Sequence, residues 1–244
     1  MPQARRLFSR RIGRFRWDRA ALAALIGLAI GVGAHGWLLN HPQHNPWAPL
    51  DLRDPPGWAT GAKLLALRGD TALCREVLTR SEVEFEVLPP DGDGPCARPD
   101  RTRLTAFPLA PDTPATTCSA AVAMYLWERD VVQPAAQHQL SAQVIRIQHL
   151  GAYSCRRLYG RDEGPWSEHA SANAIDIAGF VLADGTTISV LRDWESDTPQ
   201  AQFLRLVRDG SCDHFATVLS PNYNDAHADH FHFDMSDRWT SLCR

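Results

Sequence analysis

The densest run of chemically active side chains in the sequence lies near its end, at residues 227–234. It reads His-Ala-Asp-His-Phe-His-Phe-Asp and holds three of the ten histidines of the chain. Side chains two apart on a strand point to one face of a sheet, so His230, His232 and Asp234 are predicted to share a face. The two phenylalanines between them then point into the core. Two imidazoles beside carboxylates suit a borderline cation such as Zn²⁺.

A second cluster of candidate ligands lies some sixty residues upstream, at residues 167–176. His169 and Asp176 are seven residues apart, and most of the side chains between them are small. Small residues allow a tight turn from a loop into a strand, which can bring both side chains to one point. Catalytic zinc takes three protein ligands and leaves a fourth position for water. This pair can therefore supply what the C-terminal strand lacks.

The two clusters resemble motifs of zinc peptidases. The upstream cluster resembles the SxHxxGxAxD motif of D-Ala-D-Ala carboxypeptidases and dipeptidases, in the form Ser167-x-His169-x-x-Ala172-x-Ala174-x-Asp176. The downstream run is similar to the HxxHxH run of murein endopeptidases, in the form His227-x-x-His230-x-His232. It is also similar to the ExWH run of the D-Ala-D-Ala enzymes, in the form Asp229-His230-Phe231-His232. The zinc domain of hedgehog belongs to the same superfamily.

Over a wider span, about residues 60–244, the chain resembles the bacterial extensin-like C-terminal domain family. The segments that carry this resemblance are 132–136, 153–156, 167–170, 173–177 and 230–234. Together the two resemblances imply a hedgehog- or D-Ala-D-Ala-peptidase-like zinc site. They also imply an exported hydrolase that cleaves an amide bond in peptidoglycan peptides. A zinc-containing module that binds the cell wall or a partner without turnover is the alternative, and a disulfide-locked domain without metal is a further one.

The resemblance assigns roles to individual residues by position. His169, Asp176 and His232 would bind Zn²⁺, which lowers the pKa of a bound water and polarises the scissile carbonyl. Arg156 would bind the substrate or the developing oxyanion, and a surface salt bridge is the alternative for it. The residues expected to hydrogen-bond to the ligands are Ser167, Glu168 and Asp234.

Two residues compete for the role of general base, which must reach the nucleophilic zinc-bound water. Asp229 stands where the D-Ala-D-Ala enzymes have glutamate, and His230 stands where the murein endopeptidases have a catalytic histidine. His230 should share the face of His232, while Asp229 should point away if the strand is already regular there. The strand geometry thus favours His230. His227 would hold the base or bind substrate.

The elements that position these residues predict an α+β fold with an antiparallel sheet and flanking helices. Residues 60–110 are predicted to form a platform or lid, and residues 116–244 the core around the metal site. The predicted helices cover residues 60–80 with a break at Gly69, 120–132, 134–140, and 199–209 with Gly210 as the end. The predicted strands are 83–87, 102–109, 144–147, 174–180, 186–191 and the last strand near 230–234.

The N-terminal region predicts a membrane segment. Residues 1–19 carry seven arginines and one acidic residue, and residues 20–39 are apolar and long enough to cross a bilayer as a helix. Arginines before the helix keep the N-terminus in the cytoplasm. The domain is therefore predicted to be periplasmic and anchored in the inner membrane by residues 20–39. A cleaved signal peptide, with Val32-Gly33-Ala34 as the cleavage site, is the alternative.

Three further expectations concern the exported part of the chain. The remaining 18 basic and 27 acidic residues argue against nucleic-acid binding. Residues 40–59 are rich in proline and are predicted to be an extended linker that holds the domain away from the membrane. The six cysteines predict three disulfides, and their positions are Cys74, Cys96, Cys118, Cys155, Cys212 and Cys243. The short separation favours a Cys74–Cys96 bridge and leaves the other pairings open.

Overall fold

The computed structural model describes residues 16–238 and 241–244, so most of the predicted basic tail lies outside the described residues. The α-helices are α1 (Arg16–Asn40), α2 (Thr60–Ala66), α3 (Thr71–Arg80), α4 (Cys118–Trp127), α5 (Gln133–Leu140), α6 (Val190–Asp193) and α7 (Pro199–Ser211). The strands are β1 (Phe85–Val87), β2 (Thr102–Leu104), β3 (Leu109–Ala110), β4 (Val144–Gly151), β5 (Ala174–Leu182), β6 (Thr187–Ser189), β7 (Thr217–Leu219), β8 (Phe231–Asp234) and β9 (Leu242–Cys243). The predicted α+β class is confirmed.

A seven-stranded sheet organises the main part of the fold. Its strand order is β3-β4-β5-β8-β7-β9. One edge of the long strand β5 pairs with two strands: its first half pairs with β8 and its second half pairs with β6. The inner pairs are antiparallel, as predicted, but β3–β4 and β7–β9 are parallel. Each parallel pair is joined by a long connection, as parallel strands require. The sheet is therefore mixed at its two edges.

The larger hydrophobic core lies between this sheet and helices α4, α5 and α7. Phe231 and Phe233 of β8 are fully buried, which confirms the predicted alternation along the last strand. Trp127, at the end of α4, packs edge-on against Phe233 with ring centroids 5.3 Å apart. Burial of each such aromatic ring contributes roughly 1.5–3 kcal/mol. The core therefore fixes the orientation of β8, and with it the polar side chains on the opposite face.

A smaller core lies under helices α2 and α3 and the β1–β2 hairpin. The predicted break at Gly69 is confirmed, because this glycine has a φ of +80° and separates α2 from α3. The predicted strand 102–109 ends at Leu104. Leu109 instead begins β3, which pairs with β4 in the large sheet. The region predicted as a platform thus contributes one edge strand to the main sheet.

The Pro-rich segment after α1 is packed onto the domain, which corrects the prediction of an extended linker. Leu50 and Leu52 are buried in the smaller core. The backbone amide of Leu52 donates to Oγ of Ser81 at 2.8 Å, and Nζ of Lys63 donates to the carbonyl of Pro42 at 2.6 Å. Proline stiffness predicts an extended chain, but burial of two leucines outweighs that preference.

Helix α7 continues through Gly210 to Ser211, whereas the sequence predicted that Gly210 would end it. The glycine serves close packing: a Cβ at this position would lie 2.5 Å from a methyl carbon of Val131. Val131 belongs to a π-helical turn, Glu128–Val132, that links α4 to α5. The side chain of Thr117 caps α4, and Pro134 lies in the first turn of α5.

Three disulfides are present, as predicted, but the pairing is different. The bridges are Cys74–Cys118, Cys96–Cys155 and Cys212–Cys243. The expected Cys74–Cys96 bridge was wrong because Cys74 is buried on α3, where it packs against α4. Doubling the closed loop costs only about 0.6 kcal/mol. The packing of α3 on α4 therefore determines the partner of Cys74, because it outweighs the small entropic advantage of closing a shorter loop.

Helix α1 is long and apolar enough to cross a membrane, with a mean hydropathy of 1.9, and none of its residues is buried. It extends the predicted segment 20–39 by a few residues at its start. An exposed apolar helix of this length near the N-terminus is typical of a signal sequence or an anchor, and the disulfides agree with a domain outside the cytoplasm.

Candidate metal centre

The centre of the candidate site is a pair of residues that face each other across the sheet. Asp176 of β5 lies directly opposite His232 of β8 in an antiparallel register. Side chains of directly opposed residues lie on the same face of a sheet. The neighbouring pair in the register, Ile175 and Phe233, is buried in the core. Because side chains alternate along a strand, Asp176 and His232 both point away from the core. The pairing of the two strands is what brings a carboxylate and an imidazole together.

The third residue reaches this pair from a short 3-10 turn, Glu168–Ser171, just before β5. Oγ of Ser167 caps the turn by accepting from the amide of His169 at 3.3 Å. Ala172 then has a φ of +57°, a left-handed conformation that reverses the chain into β5. The small residues predicted to allow a tight turn are therefore used in that way, and His169 is buried against the sheet.

The three side chains, here called the His–Asp–His cluster (His169, Asp176 and His232), converge on one point. Nε2 of His169 lies 3.1 Å from Oδ1 of Asp176 and 3.1 Å from Nδ1 of His232. Nδ1 of His232 lies 2.9 Å from the same carboxylate oxygen. Three donors bound to one tetrahedral zinc at bonds of about 2.0–2.1 Å would lie about 3.3 Å apart. The donor set and its spacing therefore fit zinc.

The outer nitrogens of both histidines are occupied, which leaves the inner nitrogens for a cation. Nδ1 of His169 donates to the carbonyl of Ala152 at 3.1 Å, and Nε2 of His232 donates to Oδ2 of Asp234 at 3.2 Å. Ligating histidines in metalloproteins characteristically donate their other ring nitrogen to a carboxylate or carbonyl. Asp234 therefore lies where the sequence expected it, beside His232 on the same strand face.

The electrostatics of the cluster favour positive charge at its centre. Burial opposes the charge on His232, but hydrogen bonds to Asp176 and Asp234 outweigh burial and raise its pKa to about 9. Burial also opposes the charge on Asp176, yet the hydrogen bonds from His169 and His232 hold its pKa well below the usual range. The metal-free cluster thus keeps a proton between a carboxylate and two imidazoles. A bound cation can replace that proton.

His230 and Asp229 lie beside the cluster in different orientations. Nε2 of His230 is 3.6 Å from Oδ1 of Asp176, and the His230 side chain is mostly buried. Nδ1 of His230 donates to Oδ1 of Asp229 at 2.7 Å, while the Asp229 side chain is 53% exposed. His230 therefore faces the cluster, and Asp229 holds it from the solvent side.

A cavity of about 500 Å³ opens over the cluster. Its walls include His227 and Arg156, both selected from the sequence, and also Tyr159. Burial and the neighbouring charges of His230 and His232 lower the pKa of His227 to about 4. His227 is therefore a neutral group at neutral pH. The guanidinium of Arg156 is exposed and makes no hydrogen bond or ion pair with any described residue, so it is free to meet a ligand.

Ser167 and Glu168 belong to the upstream motif, and both were expected to hydrogen-bond to the ligands. Ser167 contacts a ligand residue, whereas the side chain of Glu168 points elsewhere. Ser167 lines the cavity and caps the turn that carries His169. The carboxylate of Glu168 accepts from Nδ2 of Asn173 at 2.6 Å and lies in a different cavity. Burial raises the pKa of Glu168, although the hydrogen bond from Asn173 opposes this. The Glu168 side chain therefore hydrogen-bonds to the residue that follows the turn and not to the His–Asp–His cluster.

Sequence reasoning did not identify two polar residues of the cavity region. Asn224 accepts from Nδ1 of His227 at 2.7 Å and donates to the hydroxyl of Tyr159 at 3.2 Å. Tyr159 itself has a φ of +57°, a strained conformation for a side chain of this size. The spacing Asn224-x-x-His227 at the start of a helical turn is the signal that could have revealed the first of them.

A larger cavity, about 790 Å³, lies between Trp58, the π-helical turn and α7. It holds none of the His–Asp–His cluster. Size does not decide between the two cavities, because a site needs convergent polar groups as well as volume. The smaller cavity contains the three ligand atoms of the His–Asp–His cluster within 4.8 Å of one another and is therefore the candidate site.

The sequence model of a protein family described as "Extensin-like protein C-terminus" matches residues 72–244. No curated protein and no solved structure matches the chain. The matched range contains the whole His–Asp–His cluster, the cavity above it and all six cysteines.

Proposed function

The chain belongs to the extensin-like C-terminal family, and we propose that it is an exported zinc-dependent hydrolase that cleaves an amide bond in peptidoglycan peptides. One observation carries this proposal. His169, Asp176 and His232 offer three ligand atoms within 4.8 Å of one another at the base of an open cavity, and a fourth polar side chain, His230, faces them.

Zinc would be held by Nε2 of His169, a carboxylate oxygen of Asp176 and Nδ1 of His232. When bound there, it supplies a Lewis acid for the scissile carbonyl and makes water acidic enough to act near neutral pH. The chemistry of the donors supports zinc over magnesium or calcium, because imidazole nitrogen suits zinc and the latter two prefer oxygen.

His230 moves the proton in the proposed reaction. Its Nδ1 is engaged by Asp229, so Nε2 is the atom that takes a proton from water and hands it to the leaving amine. Asp229 fixes the ring and stabilises the imidazolium while His230 is charged. This geometry supports His230 over Asp229 as the base, with Asp229 as the positioning residue.

The cavity sets limits on the substrate. A volume of about 500 Å³ accommodates a few residues of a flexible peptide. Arg156 places a free guanidinium at its wall, where it can pair with a peptide carboxylate or with the developing oxyanion. Short peptides with free carboxylates are a feature of peptidoglycan, and the similarity of both motifs to cell-wall zinc peptidases supports the same class of substrate.

The proposed location is the periplasm, with α1 retained in the inner membrane. Three disulfides support an oxidising compartment, and α1 would serve as the anchor or as the export signal. In either role, α1 would put the site on the side of the membrane where peptidoglycan lies. No nucleic acid is expected as a partner, because the body of the domain carries excess negative charge.

The test is digestion of purified peptidoglycan by the full-length protein, purified in detergent with its disulfides intact and loaded with one equivalent of zinc. Mass spectrometry of the released fragments identifies the cleaved bond by its new amine and carboxylate. The matched variant is His232→Ala. We expect fragments from the wild type only.

Two results would contradict the proposal. Identical fragments from wild type and His232→Ala would mean that the activity comes from elsewhere. Tight, equimolar zinc with wall binding but no fragments would favour the alternative of a non-catalytic zinc-containing wall-binding module.

A further inference from the structure

The segment between α1 and α2 exposes large aromatic rings. Trp47 is 82% exposed, Trp58 is 72% exposed, and Trp37 in the last turn of α1 is 41% exposed. Scattered single aromatics are ordinary on a protein surface, but three exposed indoles within 22 residues form a group. Such a group indicates contact with something other than water.

These rings join the end of α1 to the domain. Trp37 stacks on His41, with centroids 4.4 Å apart, and on His44, with centroids 5.2 Å apart. Trp58, far along the segment, packs edge-on against His44 at 4.7 Å. Its indole N–H also donates to the carbonyl of His44. The end of the apolar helix and the start of the folded domain therefore share one aromatic cluster.

The segment is also fixed to the domain by contacts that leave it little freedom. The amide of Ala59 donates to the carbonyl of Gln43 at 3.3 Å. Gly57 lies so close to that residue that a Cβ would be 2.3 Å from its carbonyl oxygen. The buried leucines of the segment and the Lys63–Pro42 hydrogen bond described above add to this. The segment and the domain therefore form one rigid unit. If the segment contacts a surface, the whole domain is held against that surface.

We propose that residues 37–58, the aromatic collar, lie in the headgroup layer of the membrane into which α1 inserts. Tryptophan favours this layer because its apolar body meets acyl chains while its N–H stays near water. The collar begins on the last turn of α1, so it follows the membrane span directly. The occupant of this surface is therefore lipid, and the domain is held against the bilayer and not away from it.

The proposal rests on the retained anchor of the proposed function but not on zinc or hydrolysis. It is tested with full-length protein reconstituted in phosphatidylethanolamine–phosphatidylglycerol vesicles. Lipids brominated close to the headgroup quench tryptophan emission at short range. The variant is Trp47→Phe with Trp58→Phe, and the matched control is Trp166→Phe, an indole that is 37% exposed elsewhere on the domain. Circular dichroism and thermal melting report that each variant is folded.

We expect the brominated lipid to quench wild-type emission and the double variant to lose about half of the quenched amplitude, since two of the four tryptophans on α1 and the collar are removed. Trp166→Phe should leave that amplitude unchanged. An unchanged amplitude in the double variant would place both rings in water and overturn the proposal. So would an intact mass showing that the mature chain begins after residue 34. Neither outcome depends on whether peptidoglycan is cleaved.

Discussion

Two groups of three histidines lie in this chain, and within the part that the structure describes only the second contributes to a cluster of possible metal ligands. His35, His41 and His44 fall within ten residues, and the second group, at positions 227, 230 and 232, falls within six. In the first group, the rings of His41 and His44 stack on Trp37, His44 also packs edge-on against Trp58, and no carboxylate of the described residues pairs with either histidine. In the second, imidazoles converge on a carboxylate.

The difference lies in what faces each group. His41 and His44 lie at and just after the end of a helix, where no neighbouring strand in the described part of the chain faces them. Their nearest aromatic contacts are the indole rings of Trp37 and Trp58. A strand instead places its side chains opposite those of a neighbouring strand, and β5 supplies Asp176 directly opposite His232. Density of histidine is therefore a weak predictor of a metal site, and the partner strand decides.

The sharpest test of this contrast removes one histidine from each group. His232→Ala should lower zinc content from about one per chain to near zero. We expect the affinity to fall by at least about 100-fold, because loss of a residue that merely orients a ligand already costs 10–100-fold. His44→Ala should keep full zinc content. Elemental analysis of both proteins after dialysis is the measurement, and loss of zinc from His44→Ala would remove the distinction.

The next test separates metal binding from proton transfer within the second group. His230→Ala should retain zinc and lower the rate of peptide hydrolysis by about 10²–10⁴-fold, the usual contribution of a general base. Asp229→Asn should lower the rate less, because the imidazole remains and only its orientation is weakened. Zinc content and initial rates on the same preparations provide the readout. If Asp229→Asn is the more severe change, the roles of the two residues are reversed.

A smaller effect is expected from the carboxylate that holds His232 from behind. Asp234→Asn should weaken zinc binding by about 10–100-fold, because Nε2 of His232 loses a charged acceptor. Competition with a chelator measures the change. Asp229→Asn is the matched control, since its carboxylate contacts His230 and none of the three ligands. Equal affinities for the two variants would show that Asp234 does not support the ligand.

The last prediction concerns pH, and its effect is smallest when taken one pH unit at a time. The pKa of His232 is raised to about 9 in the metal-free protein, so its proton stabilises that state fully below the ordinary value of about 6.5. This stability is lost as pH rises from about 6.5 to 9. Zinc must displace the proton, so zinc affinity should rise by about tenfold per pH unit over the same range.

Thermal melts without metal and zinc titrations across pH 6–9 check both trends. His44→Ala should follow the wild type, because its ring is outside the cluster. A metal-free melting temperature that does not fall towards pH 9 would contradict the protonated state of His232.

Much of the site follows from local patterns in the sequence. The alternation of aromatic and polar residues in β8 predicts which side chains face the core, and burial of Phe231 and Phe233 confirms it. The small residues between His169 and Asp176 predict the tight turn that is observed. Both patterns are local, so a single sequence contains them.

The features that the sequence did not reveal depend on distant or backbone contacts. The acceptor for His169 is the carbonyl of Ala152, which leaves no signature in residue type. The pairing of Cys74 with Cys118 follows from the packing of α3 on α4. The docking of residues 40–59 depends on leucines whose hydrophobic partners are far along the chain. Long-range packing decided each of these outcomes over local preference.

The pairing of β5 with β8 has a consequence for when a metal ion could bind. Asp176 and His232 are 56 residues apart along the chain and become neighbours only when the sheet closes. A chain that crosses the membrane unfolded carries its ligands as separate residues, and bringing them together costs loop entropy that only folding repays. For a chain exported in this way, an ion at the proposed site would therefore be acquired after export, from the metal pool outside the cytoplasm. The metal bound would then be set by that compartment and by the folded sheet, and not by the supply of ions where the chain is made.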